Sequence, residues 1–137
     1  MKRRAEKKLM IPVSLAEVSA GFPSPADDFL EDSLDLNDYL VPNPTATFMV
    51  RVNGNSMTGA GIFSGDVLVV DRSLEAGHSH IVIAVVDGEL TVKRLLRTVK
   101  GWMLEAENPA YPNIHVTGNS ELVIWGVVRA VVRRLPL

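Results

Sequence analysis

Short segments of alternating or continuous hydrophobic residues fill the chain after residue 46. Phe48 to Val52 places alternate side chains on one face, and Asp66 to Val70 and Ile81 to Val86 are short β-branched or aliphatic segments bounded by turn residues. Further segments of this kind are Leu90 to Leu96, Trp102 to Glu105, Ile114 to Val116 and Leu122 to Val132. Because many short strands follow one another without helical segments between them, the sequence predicts an all-β fold, mostly antiparallel and partly closed.

The clearest local signal is the pair Asp87-Gly88, which separates two of these segments. Both residue types adopt positive φ more readily than most, as a two-residue hairpin turn requires. We therefore expect a β-hairpin that joins Ile81 to Val86 with Leu90 to Leu96.

The first third of the chain differs from this pattern and is mostly polar. Its first eight residues carry five Lys or Arg, and residues 26–38 carry six Asp or Glu and no basic residue. Ser24 followed by Pro25 is typical of a helix start, which predicts a short helix to about Ser33. Pro42 and Pro44 interrupt helical structure. We expect a mobile N-terminal arm at residues 1–45 and a compact domain at residues 46–137.

Composition restricts the class of protein. The 137 residues are 47% hydrophobic and 22% charged, which is typical of one globular domain. Cysteine is absent, so disulfides, thiolate nucleophiles and Cys-based zinc sites are excluded. The net charge of −2 does not favour a broad nucleic-acid interface, and no apolar segment approaches the length of a membrane helix.

The candidate metal and nucleotide sites are weak. His78, His80 and His115 do not have the spacing of a metal site, and Gly54 to Gly61 lacks the Lys-Ser/Thr ending of a phosphate-binding loop. The acidic segment near Asp27 lacks the spacing of a calcium loop. We expect neither a metal nor a cofactor.

The N-terminus has some features of a secretory signal. A basic start, the apolar segment Leu9 to Val18 and the small residues Val18-Ser19-Ala20 are typical of such signals. Pro12, Ser14 and Glu17 interrupt the apolar segment, so we expect a cytoplasmic protein, with export as the alternative.

A serine in a tight turn, Gly54-Asn55-Ser56-Met57, is the strongest candidate for chemistry. A serine nucleophile needs a base, and Lys93 in the second hairpin strand can serve if its amine is neutral. Lysine has an unperturbed pKa near 10.4, and burial beside Val92 and Leu95 would lower it. Spacing alone does not exclude a surface serine and a surface lysine that pairs with acidic residues.

Several motifs in order resemble the LexA-like family of self-cleaving serine/lysine peptidases, and in particular its UmuD group. The resemblance extends from Gly21 to about Val132. Its motifs are Gly21-Phe22-Pro23-Ser24-Pro25-Ala26, Asp35-Leu36-Asn37, Gly54-Asn55-Ser56-Met57, Gly65-Asp66-Val67-Leu68-Val69-Val70-Asp71 and Thr91-Val92-Lys93-Arg94-Leu95.

The resemblance implies specific roles for four residues. Ser56 would be the nucleophile, Lys93 the general base, and the bond between Ala20 and Gly21 the site of self-cleavage. We expect the backbone N–H groups of Ser56 and Met57 to form the oxyanion hole. The family fold is a LexA/signal-peptidase-like β fold.

The resemblance also implies partners. They are a second copy of the chain in a homodimer, a RecA filament on single-stranded DNA that stimulates cleavage in the SOS response, and a UmuC-type Y-family translesion DNA polymerase. Residues 1–20 are too few for a helix-turn-helix domain, so we expect no sequence-specific DNA binding. The alternative is a non-catalytic polymerase-binding module on the same fold.

Overall fold

The computed structural model describes residues 10–14, 18–21, 31–116 and 122–137. The chain forms two compact units, residues 1–42 and residues 43–137.

The first unit contains a two-stranded antiparallel sheet. Strand β1 (Met10–Ser14) pairs with β2 (Glu31–Asp35), and helix α1 (Leu36–Leu40) follows directly. The Asp35 side chain accepts a hydrogen bond of 2.9 Å from the Asn37 N–H, so Asp35 is the N-cap of this helix. Among the helices in the described ranges, none has the length and hydrophobicity needed to cross a lipid bilayer.

The helix predicted from Ser24 to about Ser33 is wrong at its C-terminal end. Residues 31–33 belong to β2 and pair with β1, and the short helix begins only at Leu36. Strand pairing across about twenty positions overrides the local helix signal. Residues 24–30 of the predicted helix lie outside the described residues.

The second unit is built on a seven-stranded sheet. Its strands are β3 (Thr47–Arg51), β4 (Val67–Asp71), β5 (Ile81–Val86), β6 (Glu89–Thr98), β7 (Gly101–Glu105), β8 (Ile114–His115) and β9 (Leu122–Val132). Their spatial order is β3-β4-β9-β5-β6-β7-β8, and every neighbouring pair is antiparallel. The predicted mostly antiparallel β fold is confirmed, and the sheet is open rather than closed into a barrel.

The predicted hairpin is present between β5 and β6. Its turn residues have positive φ, 49° at Asp87 and 85° at Gly88. The register pairs Val86 with Glu89 and Val82 with Lys93. The hairpin therefore fixes the position of Lys93 in the sheet.

Hydrophobic side chains pack on both faces of the sheet. Neighbouring residues of β5 belong to different hydrophobic clusters, because successive side chains of a strand point to opposite faces of the sheet. Ile83 packs with Val52, Met57, Ile62, Leu68 and Val70, whereas Val82 packs with Ala84, Leu95, Leu104 and Val127. The first cluster lies under the segment between β3 and β4, which carries Ser56.

This segment is closed at its base by hydrogen bonds. Val52 and Asp66 are joined by a backbone bond of 2.8 Å, and the Asp66 carboxylate accepts bonds from the Phe63 N–H at 2.7 Å and from Arg133 at 2.6 Å. The hydrogen bonds from Arg133 hold the pKa of Asp66 at about 2, and the Phe63 N–H acts in the same direction. Residues 52–66 therefore form a loop with fixed ends, tied to the C-terminal end of the chain.

Candidate active site

Ser56 lies in a turn that is anchored in the hydrophobic core. We call residues 55–60 the nucleophile turn. Met57, the residue after Ser56, is 1% exposed and packs with Val52 and Ile62, whereas Ser56 itself is partly exposed. A buried neighbour leaves Ser56 little freedom to move. The burial of Met57 thus holds the hydroxyl of Ser56 in a fixed position.

Lys93 lies on β6 and is 8% exposed. Its Nζ is 3.0 Å from Ser56 Oγ, 2.8 Å from Thr91 Oγ1 and 3.1 Å from the Val92 carbonyl oxygen. Thr91 and Lys93 are two positions apart on one strand, so their side chains project from the same face. The amine therefore has three oxygen neighbours, and one of them is the hydroxyl of Ser56.

The surroundings of Lys93 favour a neutral amine. Burial lowers the pKa of Lys93 from its ordinary value, because desolvation disfavours the charged form. The contacts of Nζ within the described residues are hydroxyl and carbonyl oxygens, with no carboxylate among them. The alternative of an exposed strand lysine paired with acidic residues is therefore wrong.

Two backbone N–H groups of the turn have no hydrogen-bond acceptor among the described residues. Within the described part of the chain, neither the Ser56 N–H nor the Met57 N–H donates a hydrogen bond. The Thr58 N–H, in contrast, donates to the Asn55 carbonyl at 3.4 Å. The two free donors flank the side chain of Ser56.

A groove beside Lys93 leads along the open edge of β6. Strand β7 pairs only with Arg94–Thr98 of β6, so in the described structure residues 89–93 have a strand neighbour on one side. The groove has a volume of about 490 Å³, and its lining includes Leu90, Thr91, Lys93, Tyr111 and Ile114. An unpaired strand edge offers backbone N–H and C=O groups to an extended peptide.

The residues of the predicted cleavage site belong to the other unit. Ala20 and Gly21 are exposed, and the Gly21 N–H donates to Ser19 Oγ at 3.2 Å. The structure thus brings Ser56 and Lys93 into contact within one unit, and the predicted scissile bond belongs to the other unit.

The histidines lie away from these contacts. His78 and His80 are exposed in the loop before β5, where each Nδ1 accepts a backbone N–H, from Arg97 at 2.9 Å and from Gly77 at 3.0 Å. His115 is exposed in β8. Across the described ranges, no three His, Asp or Glu side chains are grouped closely enough to hold a metal ion.

Sequence comparison identifies the family. A family model described as Peptidase S24-like matches residues 12–129. The chain belongs to this family. The Peptidase S24-like match spans both the predicted cleavage site and the pair formed by Ser56 and Lys93.

Relatives support the assignment to the Peptidase S24-like family. The chain is 46% identical over 119 residues to protein MucA of Escherichia coli, which covers 86% of this chain and 81% of MucA. It is 46% identical over 123 residues to protein SamA of Salmonella typhimurium, and the match covers 90% of this chain and 85% of SamA. LexA repressor 1 of Pseudomonas putida is 41% identical over 122 residues, with 88% of this chain and 59% of the repressor covered. These matches confirm the resemblance seen in the motifs, and they support a self-cleaving serine peptidase in general terms.

Proposed function

We propose that the protein is a serine peptidase that cleaves its own chain between Ala20 and Gly21, with Ser56 as nucleophile and Lys93 as general base. The observation that carries the proposal is the 3.0 Å contact between Ser56 Oγ and a lysine amine that is 8% exposed. A serine hydroxyl becomes an effective nucleophile when an adjacent base accepts its proton.

The neighbours of Nζ fit the hydrogen-bonding capacity of a neutral amine. The Val92 carbonyl oxygen only accepts, and the Thr91 hydroxyl accepts as well as it donates. Two N–H groups of a neutral amine are directed to these oxygens, which leaves the lone pair for the proton of Ser56. Thr91 and Val92 therefore orient the lone pair of Lys93.

The chemical steps follow from this arrangement. Ser56 Oγ forms a bond to the carbonyl carbon of Ala20 while its proton moves to Lys93 Nζ. When the tetrahedral intermediate collapses, the bond between Ala20 and Gly21 breaks and the lysine ammonium gives its proton to the Gly21 amine. Water then hydrolyses the ester between Ala20 and Ser56, with Lys93 again as base.

Negative charge develops on the Ala20 carbonyl oxygen in the intermediate. The N–H groups of Ser56 and Met57 donate to no described residue and are available for this oxygen. Met57 is 1% exposed, so the Ser56 N–H is the more accessible donor.

The open edge of β6 is our candidate for the site that binds the arm. Hydrogen-bonded pairs alternate along an antiparallel hairpin, beginning with Val86 and Glu89 next to the turn. By this alternation the N–H groups of Leu90 and Val92 point away from β5, towards the groove. An arm added as a further strand would pass beside Lys93. Because the arm is tethered, even weak binding brings it into reach.

The proposed biological role follows from the resemblance of the chain to the UmuD group. In this role, a RecA filament on single-stranded DNA stimulates the cleavage during the SOS response. The shortened chain, as a homodimer, then assists a UmuC-type translesion polymerase. Matches to MucA and SamA over most of the chain support this proposal.

A genetic experiment tests cleavage and the polymerase role together. DNA-damage-induced mutagenesis would be measured in bacteria that lack their own UmuD-type protein and express this chain with its polymerase. We expect the wild-type chain to restore mutagenesis and Ser56→Ala to fail. A chain that begins at Gly21 and carries Ser56→Ala should restore it. Full activity of the uncleaved Ser56→Ala chain would indicate a non-catalytic accessory module instead.

A further inference from the structure

The side chain of Asn108 holds the peptide group that precedes Ser56. Asn108 Nδ2 donates a hydrogen bond of 2.8 Å to the Asn55 carbonyl oxygen and lies 3.4 Å from Thr58 Oγ1. The Asn108 Oδ1 atom accepts a bond of 3.0 Å from the Ala110 N–H. This second bond fixes the orientation of the amide, so its donor side faces the nucleophile turn.

Glu107 attaches the same turn through the backbone. Its carbonyl oxygen accepts the Gly59 N–H at 2.7 Å, and a Cβ atom at Gly59 would lie only 2.5 Å from this oxygen. The backbone can come this close to the Glu107 carbonyl oxygen only because Gly59 has no side chain. The Glu107 carboxylate pairs with Arg94, the residue after Lys93.

These contacts complete a closed path between nucleophile and base. From Lys93 the path passes through Arg94, Glu107 and Asn108 to Asn55, and from there to Ser56, whose hydroxyl contacts Lys93. The nucleophile turn and β6 are thus joined in two ways, through the pair itself and through residues 107–108 behind it. A path of this kind limits how far the two reacting side chains move apart.

We propose that Asn108 is a positioning residue for cleavage, which acts by aiming the Ser56 N–H at the developing oxyanion. In a trans peptide group, the C=O and N–H point in opposite directions. A donor that fixes the Asn55 carbonyl on one side therefore directs the Ser56 N–H to the other side. A hydrogen bond to the carbonyl also polarises the peptide group and makes its N–H a stronger donor. The proposal rests on the proposed function, because it assigns the oxyanion to that site.

The test compares two replacements of Asn108 that differ in donor capacity. Asn108→Leu keeps the approximate size of the side chain and removes the donor, whereas Asn108→Gln keeps a donor on a longer side chain. Asn113→Leu is the matched control, because Asn113 lies in the same segment and its Oδ1 accepts, among the described residues, only the Ala106 N–H at 3.2 Å. The measurements are the rate of formation of the product that begins at Gly21, without partner proteins, as a function of pH, and the melting temperature of each variant.

Removing an oxyanion donor outright slows catalysis by about 10²–10³. We expect Asn108→Leu to misalign the donor and to slow cleavage about tenfold to a hundredfold, and Asn108→Gln to recover part of this loss. The pH midpoint should stay at the wild-type value, because the contacts of Lys93 are intact. Asn113→Leu should cleave within about twofold of the wild type, as expected for a substitution away from the site.

Three results would overturn the proposal: wild-type cleavage by Asn108→Leu, no recovery in Asn108→Gln, or an equal loss in Asn113→Leu. If Asn108→Leu does not fold, Asn108→Asp replaces it with the same expected loss of cleavage rate, because a carboxylate keeps the acceptor for Ala110 and removes the donor. Ser56→Ala in the same series separates the two proposals. Product formation by Ser56→Ala, or none by the wild type, contradicts the proposed function, whereas the Asn108 variants test only the positioning role.

Discussion

The hydroxyl of Ser56 and the amine of Lys93 lie 3.0 Å apart although 37 positions separate them in the chain. The contact depends on two supports, the burial of Met57 under the nucleophile turn and the register of the hairpin that places Lys93 opposite Val82. Five predictions follow from this arrangement and its surroundings.

Self-cleavage should accelerate as the pH rises and level off below the ordinary lysine pKa of about 10.4. Burial lowers the pKa of Lys93, so the reactive neutral amine becomes dominant before that pH is reached. The check is the rate of appearance of the chain that begins at Gly21 between pH 6 and 11, without partners. A rate independent of pH would exclude Lys93 as the base.

Lys93→Met should change how stability depends on pH. Because the folded-state pKa of Lys93 lies below the unfolded value, the unfolded state binds more protons between the two values, and stability rises with pH in that window. The variant lacks this rise. Relative to the wild type, its melting temperature should therefore be highest near pH 7 and decline towards pH 10.5. A constant difference across this range would contradict the lowered pKa.

Asp66→Asn should remove part of the acid sensitivity of the fold. The pKa of Asp66 is lowered to about 2, first by hydrogen bonds from Arg133, so its stabilising effect is complete above the unfolded pKa of about 3.8 and is lost as the pH falls towards 2. The difference in melting temperature between wild type and variant should be large at pH 6 and shrink between pH 4 and 2. Equal differences at both ends would show that the charge of Asp66 does not stabilise the loop.

Gly59→Ala should disturb the nucleophile turn. The added Cβ would lie 2.5 Å from the Glu107 carbonyl oxygen. The nucleophile turn and the segment that contains Glu107 must therefore move apart, and overpacking of this kind typically costs about 1–3 kcal/mol in stability. We expect a lower melting temperature and slower self-cleavage. Gly77→Ala is the control, since its Cβ would come no nearer than 3.7 Å, to the side chain of His80. Equal behaviour of the two variants would contradict the close approach.

Local sequence signals predicted most of the sheet. Ile81 to Val86 has the predicted bounds, and the Asp87-Gly88 turn has the φ values that its residue types favour. The predicted early helix extended too far towards the C-terminus, and the β1–β2 pair was not predicted, because that pairing joins two short segments about twenty positions apart, neither of which has a clear strand pattern. Tertiary pairing of this kind overrides weak local preferences.

The candidate site was predictable only in part. The turn motif and the position of Lys93 after Thr91-Val92 made Ser56 and Lys93 candidates, and the resemblance to the LexA-like family assigned their roles. Burial of Lys93 was foreseen from the neighbouring aliphatic residues, and the residue is 8% exposed. Asn108 was missed, because its hydrogen bond reaches Asn55 across 53 positions and its surroundings in the sequence indicate only a turn before Pro109. Hydrogen bonds between distant loops leave no periodic pattern in a sequence.

Intact-mass spectrometry of the purified chain tests whether Ser56 and Lys93 cleave the bond between Ala20 and Gly21. Wild type, Ser56→Ala and Lys93→Ala would be incubated at pH 10 alone, and at neutral pH with RecA, ATP and single-stranded DNA. We expect a product that begins at Gly21 from the wild type and no such product from either variant. A wild-type chain that stays intact under both conditions, or a variant that is still cleaved at this bond, would contradict the proposed function.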